Sequence, residues 1–350
     1  NRGRDTSGIA VYVDGKLNLH KGPGLPHQVF PENYDYEKEG LVGEVAIGHN
    51  RYATTVGAHK DDLDGAQPMV AQWQGRKVAI AYNGNLPNSE RQKLKDKMPS
   101  RIPESRFDTE DILNAIVTAD GDTWEERIIN ALKGIELAYS LTILTDQGEL
   151  FGLRGPSGTW PLWIGENGDK IIFASETTVS ADTSLKWSEV KPGELVKATT
   201  EGVDRKTVFE PTITARCALH DVYGARRKGQ MTEEGLTYYD FSVKLGRILA
   251  EEHPIEADLY VGLPNSGLPV AEGYAFGMGS HSSELITANG LRSFIAQNGS
   301  ETMRIINGKY SIEHPELIDG KSVVLLDDTA IKGATLGGDP QKNTLGVVGL

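Results

Sequence analysis

The chain has 350 residues, 36 basic against 49 acidic side chains and a formal net charge of −13, and 38% of it is apolar, enough for the two cores that about 100–200 residues per domain implies. That acidic balance repels a nucleic-acid backbone and no basic stripe offsets it, whereas a phosphorylated small molecule stays open as a ligand because a phosphate site needs only backbone N–H groups and a few cations. No apolar run approaches the ~18 residues of a membrane span, and one cysteine, Cys217, excludes an intrachain disulfide framework, a Cys-only metal site and an iron–sulfur cluster, so a reducing, cytoplasmic compartment is expected.

Along the first 200 residues short β-like runs alternate with glycine-rich turns. Gly8–Val13 passes through Asp14-Gly15 into Lys16–Leu19, and Tyr139–Thr145 passes through Asp146-Gln147-Gly148 into Glu149–Leu153. Both read as hairpins, since Asp-Gly supplies the positive φ of a tight turn. Lys77–Tyr82 and Lys170–Ser175 read as further strands. Two helices interrupt them. Asp108-Thr109-Glu110-Asp111 offers an N-cap before Ile112, Leu113, Ile116 and Val117, and Thr123 to Glu126 has capping-box spacing before Ile128, Ile129 and Leu132. Lys191-Pro192-Gly193-Glu194 is a turn near the end of this region, which has an antiparallel α+β pattern.

Beyond about residue 230 helices and strands alternate, which implies a mostly parallel α/β sheet. Phe241, Leu245, Ile248 and Leu249 mark a helical face; Leu259–Leu263 is a strand; Pro269–Tyr274 opens a helix; Val323–Leu326 is a buried strand. Ligands of such sheets bind beyond the carboxyl ends of the strands, so the chemistry is sought just after Leu263 and Leu326.

After Leu326 come Asp327-Asp328-Thr329-Ala330-Ile331-Lys332-Gly333-Ala334-Thr335. The loop offers N–H groups, hydroxyls and one cation to a phosphate monoester, and the paired carboxylates suit sugar hydroxyls; the plainer reading is an acidic helix start with a solvated lysine. Pro264-Asn265-Ser266-Gly267 can aim N–H groups at an anion such as pyrophosphate, or is an ordinary strand-to-helix turn. Cys217, with His220 three residues on, reads as packing, and the scattered histidines have no metal-ligand spacing.

Asp327–Thr335 resembles the phosphoribosylpyrophosphate (PRPP) signature of type I phosphoribosyltransferases. In the first region Arg2–Ile9 resembles RGQDAAGI, Ile47–Thr54 resembles IGHVRYPT, Tyr82–Leu86 resembles HNGNL and Asp108-Thr109-Glu110 resembles a DSE segment, all of glutamine amidotransferases with an N-terminal nucleophile. Both halves in this order resemble the amidophosphoribosyltransferase family.

The resemblance implies an αββα N-terminal-nucleophile domain over 1–225, lacking its first strand and nucleophile, and a phosphoribosyltransferase domain over 226–350, incomplete at its C-terminus. Its nucleophile is a cysteine at the mature N-terminus, and this sequence starts inside the RGQD-like stretch, which is expected to reflect a sequence that starts late rather than a lost activity. Implied roles are Arg51, Thr54 and Asp108 for glutamine, Asn83 and Gly84 for the oxyanion, and Arg2 near the nucleophile. For PRPP they are Ser266, Gly267, Asp327, Asp328, Thr329, Lys332, Gly333, Ala334 and Thr335, with Asp327 and Asp328 also at Mg²⁺ and Arg292 on a lid. The implied reaction is glutamine-dependent amination of PRPP at C1, the first step of purine biosynthesis, by a homo-oligomer (dimer or tetramer) inhibited by purine nucleotides. An ammonia-only transferase with an inactive glutaminase domain and a non-catalytic PRPP or nucleotide sensor are the alternatives.

Overall fold

The computed structural model describes residues 3–52, 63–136, 138–199, 201–212, 215–218, 220–288 and 310–328. Two compact units divide the chain, 1–217 and 218–350.

In the first unit β1 (Thr6–Val13) and β2 (Lys16–Pro23) form the expected hairpin, with Asp14 and Gly15 both at positive φ, +48° and +78°. A one-turn helix α1 (Pro26–Val29) follows, and β3 (Val45–Arg51) returns antiparallel to β1 with Thr6 opposite Arg51. Next come β4 (Met69–Trp73), β5 (Arg76–Asn85), α2 (Asn88–Lys97), α3 (Asp108–Thr118), α4 (Trp124–Leu132), β6 (Ala138–Thr145) and β7 (Leu150–Arg154). The unit continues with β8 (Trp163–Glu166), β9 (Ile171–Ala174), β10 (Lys186–Glu189), β11 (Glu194–Thr199) and β12 (Gly202–Thr207). Strands β12-β11-β7-β6-β5-β4 make one six-stranded antiparallel sheet, β2-β1-β3 a second and β10-β8-β9 a third.

Strand alternation decides what each face of the large sheet meets. Val78, Ile80 and Tyr82 of β5, with Leu141 and Ile143 of β6, pack under Ile112, Leu113 and Ile116 of α3 and Ile128 and Leu132 of α4. Ala79, Ala81 and Leu144 turn the other way, onto Ala10, Leu17 and Ile47 of the second sheet. Two sheets stacked face to face with helices outside are the α+β class expected of this half. The α4 capping box forms as its spacing predicts: Thr123 Oγ1 accepts from the Glu126 N–H at 3.2 Å, and Glu126 Oε2 accepts from the Thr123 N–H at 3.2 Å. Helix α3 departs from the expectation. Phe107 holds its cap position without a side-chain bond and Asp108 is its first residue, because the Asp108 carboxylate is committed to the end of β5.

The second unit contains α5 (Tyr238–Glu252), β13 (Leu259–Gly262), α6 (Gly267–Gly277), β14 (Ser282–Ser283), β15 (Ile286–Ala288), β16 (Tyr310–Ile312) and β17 (Val323–Leu326). β14, β13 and β17 form a parallel sheet and β15–β16 an antiparallel ribbon. Helix α5 buries only part of the face its large apolar residues mark: Leu249 is buried with Tyr238, Ser242, Gly246 and Ala250, whereas Phe241 and Leu245 are half-buried and Ile248 is 38% exposed. Close approach is the reason. A Cβ on Gly246 would strike the Val270 carbonyl and one on Gly273 the Val243 carbonyl, so α5 and α6 touch through their backbones and the small residues define the contact. No helix among the described residues is long and apolar enough to cross a membrane.

Candidate functional site

In the first unit the candidate residues gather at one end of the stacked sheets. Arg51 and Ile47 lie on the same face of β3, as do Asn83, Ala81 and Ala79 on β5, so Arg51 and Asn83 both face the space between the sheets. The Arg51 side chain is buried, its guanidinium against Gly65 and 5.7 Å from the centre of the Phe107 ring. Its Nη1, the Nδ2 of Asn83 and the Oγ1 of Thr6 are buried without a hydrogen-bond partner among the described residues. Buried polar atoms are normally paired, and one left unpaired costs about 1–3 kcal/mol, so three together mark a place built for a ligand's polar groups.

Backbone direction completes the picture. The carbonyl of Lys77 accepts from the Asp146 N–H on the β6 side, so the even-numbered residues of β5 turn their N–H groups the other way, toward β4. The Tyr82 N–H is taken there by Gln67 Oε1 at 2.7 Å, and the Leu86 N–H by Asp108 Oδ2 at 3.3 Å. Gly84 lies between them in that row, and its N–H takes no part in the pairing with β6. Asp108 Oδ1 also accepts from the Thr109 N–H at 2.9 Å, and Gln67 Nε2 donates to Thr109 Oγ1 at 3.2 Å, which ties the start of α3 to the end of β5. A cation, a carboxylate and two donors on successive residues of β5 thus share one end of the first unit, the set an amino-acid amide demands. Thr6, Gln67 and Tyr82 had no role in the sequence reading; Thr6 and Tyr82 stand within its quoted motifs, and only burial exposes their place here.

In the second unit the two strand-end turns meet. β13 and β17 run parallel with Gly262 opposite Leu326, and the Leu263 N–H donates to the Leu326 carbonyl at 2.8 Å. A Cβ on Gly267 would lie 2.5 Å from the Leu326 oxygen and 3.0 Å from the Asp327 Cα, so the first residue of α6 rests directly on the strand end that carries the acid pair. The peptide between Pro264 and Asn265 is cis. Asp327 Oδ1 accepts from the Asp328 N–H at 2.9 Å, and Asp328 is 5% exposed. Ser266, Gly267, Asp327 and Asp328 are therefore brought together, with the N-terminus of α6 facing the acid pair. No group of three or more potential metal-ligating side chains occurs among the described residues. Arg2, Thr54, Arg292, Thr329, Lys332, Gly333, Ala334 and Thr335 lie outside the described residues.

Residues 49–180 match the family model of the glutamine amidotransferase domain. The amidophosphoribosyltransferase of Synechocystis sp. is 32% identical over 346 residues, an alignment covering 96% of this chain and 68% of that protein; the Bacillus subtilis enzyme is 31% identical over 341 residues, covering 96% and 69%. The solved B. subtilis glutamine PRPP amidotransferase, complexed with ADP and GMP, superposes with a TM-score of 0.80 at 30% identity over 95% of this chain and 71% of that one. A second structure, described as the allosteric regulatory enzyme of purine biosynthesis, gives 0.81 at 31% identity, covering 95% and 70%. The fold and these relatives thus define an N-terminal-nucleophile glutamine amidotransferase joined to a phosphoribosyltransferase. The chain belongs to the amidophosphoribosyltransferase family, enzymes of the first step of purine biosynthesis, and it aminates PRPP at the expense of glutamine.

Proposed function

We propose that the first unit frees ammonia from glutamine and the second uses it at C1 of PRPP, with the residues above in definite roles. Arg51 grips the substrate's α-carboxylate and Asp108 its α-ammonium, a match of opposite charges. Asn83 Nδ2 and the Gly84 N–H donate to the amide oxygen as negative charge builds on it. The thiol adds to the amide carbon as thiolate while the proton it gives up passes to the amide nitrogen, the C–N bond breaks and ammonia leaves, and water then splits the thioester into glutamate and the free thiol. The resemblance implies an N-terminal cysteine for that thiolate; it is not among the 350 residues. Arg2 and Thr54 belong to this site by the same resemblance.

At the second site Ser266 and Gly267 hold the pyrophosphate, while Thr329, Lys332, Gly333, Ala334 and Thr335 hold the 5-phosphate. Asp327 and Asp328 face the ribose hydroxyls, and Arg292 covers the site, excluding the water that competes with ammonia. Ammonia forms the N–C1 bond as the C1–O bond to pyrophosphate breaks, and the ammonium product loses its proton. A pair of adjacent carboxylates with no third ligand among the described residues fits Mg²⁺ that arrives on a diphosphate and keeps most of its oxygen ligands from substrate and water. Bound there it would neutralise charge on the departing pyrophosphate. The reading extends to purine nucleotides as inhibitors, a homo-oligomer and a cytoplasmic location; the relative complexed with ADP and GMP supports the first.

Arg51 Nη1 and Asn83 Nδ2, buried and unpaired among the described residues, carry this assignment. In the full-length native enzyme, Arg51→Ala is expected to raise the KM for glutamine by about 10²-fold while ammonia-supported pyrophosphate release keeps its rate. Equal loss of both activities, or of neither, would refute it.

A further inference from the structure

The resemblance at Tyr82–Leu86 is to HNGNL, and the first position, His in that pattern, is Tyr82 here. The substitution is not a surface detail. Tyr82 is 3% exposed, and its phenol oxygen is buried with no hydrogen-bond partner among the described residues. That oxygen lies 2.7 Å from where a Gly84 β-carbon would stand, so the ring folds along β5 over the glycine of the donor row. Next in the row, Leu86 gives its N–H to Asp108, and the Asp108 charge acts on the Tyr82 hydroxyl: burial first, then Asp108, then Tyr139 hold its pKa well above the ordinary tyrosine range. The group is therefore a neutral O–H at every working pH, able to donate and without an acceptor among the described residues.

We propose that Tyr82 is a positioning residue for glutamine: its O–H donates to the Asp108 carboxylate when the substrate's α-ammonium is seated there. A carboxylate has about four lone-pair sites, and the N–H groups of Leu86 and Thr109 use two, which leaves one for the ammonium and one for the phenol. Pairing the buried hydroxyl only in the liganded state couples its cost to substrate binding, so Tyr82 sets the KM for glutamine and leaves the amide chemistry alone. This rests on the assignment of Asp108 to the ammonium, and the experiment separates the two.

In the full-length native enzyme, Tyr82→Phe removes the oxygen alone and is expected to raise the KM for glutamine about three- to tenfold with kcat nearly unchanged. Tyr82→His, which restores an N–H donor, recovers most of the loss. Asp108→Asn raises the KM further, and adding Tyr82→Phe to it costs nothing more, since the partner charge is gone. If Asp108→Asn leaves the KM unchanged, the assignment of Asp108 fails. If Asp108→Asn acts but Tyr82→Phe does not, or if the two effects simply add, the role of Tyr82 is overturned. A fall in kcat and melting temperature that the histidine does not mend makes Tyr82 a core residue only, which also overturns it.

Discussion

The two units build their sites in opposite ways. In the first, the polar groups project from the interiors of strands into the space between two sheets, and three buried atoms there stay unpaired among the described residues, on Thr6, Arg51 and Asn83. In the second, the groups stand on turns at the ends of parallel strands, and the acid pair partly satisfies itself, Asp327 accepting from the Asp328 N–H. On the roles proposed for them, the contrast follows from what each site must do. An amide oxygen that becomes an anion needs donors already in place and shielded from water. A phosphorylated sugar brings its own charge and is met by N–H groups and helix termini at a sheet's carboxyl edge.

The sharpest way to break this comparison is at the acid pair. Asp327→Ala with Asp328→Ala is expected to abolish phosphoribosylamine synthesis, by at least about 10³-fold, with glutamine and with free ammonia alike. Survival of the ammonia-supported rate would remove the second site from the strand ends. The Arg51→Ala variant, which should spare that rate, comes next in size and supplies the opposite pattern. Gly267→Val tests the contact between the two turns. Its side chain would have to displace the Leu326 oxygen, so both activities should fall about 10–10²-fold through misplaced turns, read as a higher KM for PRPP. Tyr82→Phe, a severalfold change in KM for glutamine alone, is smaller. Smallest is Thr123→Ala, which removes the α4 cap and none of the proposed site residues: about 1 kcal/mol of stability, seen as a melting temperature lower by about 2–4 °C at unchanged activity. Glu126 in that box is held below its ordinary pKa, first by the Asp122 and Thr123 N–H groups. Its contribution is therefore complete above the unfolded carboxylate pKa and disappears as pH falls through the lower folded value, and the variant should lose stability less steeply on acidification.

How legible these features were depended on the range of the interaction that makes them. The hairpin at Asp14-Gly15 and the capping box at Thr123 are contacts within a few residues, and their motifs are sufficient. Helix α5 was read only in part, for the opposite reason: Phe241, Leu245, Ile248 and Leu249 marked a face by size, and of these Leu249 alone is buried, because Gly246 and Gly273, in different helices, decide which face can approach. Asp108 was read as part of a helix cap because only local partners can be weighed in a sequence; its acceptor oxygen serves Leu86, 22 residues away.

Composition, turn chemistry and the order of motifs by themselves determined the α+β half, the α/β half and the family, because those signals are written in neighbouring residues. Only the tertiary structure decided that Arg51 and Asn83 face the same space, that Gly267 rests on Asp327, and that a tyrosine hydroxyl lies buried beside Gly84. Each of these depends on strand pairing and on the loss of water between distant segments, and neither is encoded at any one position.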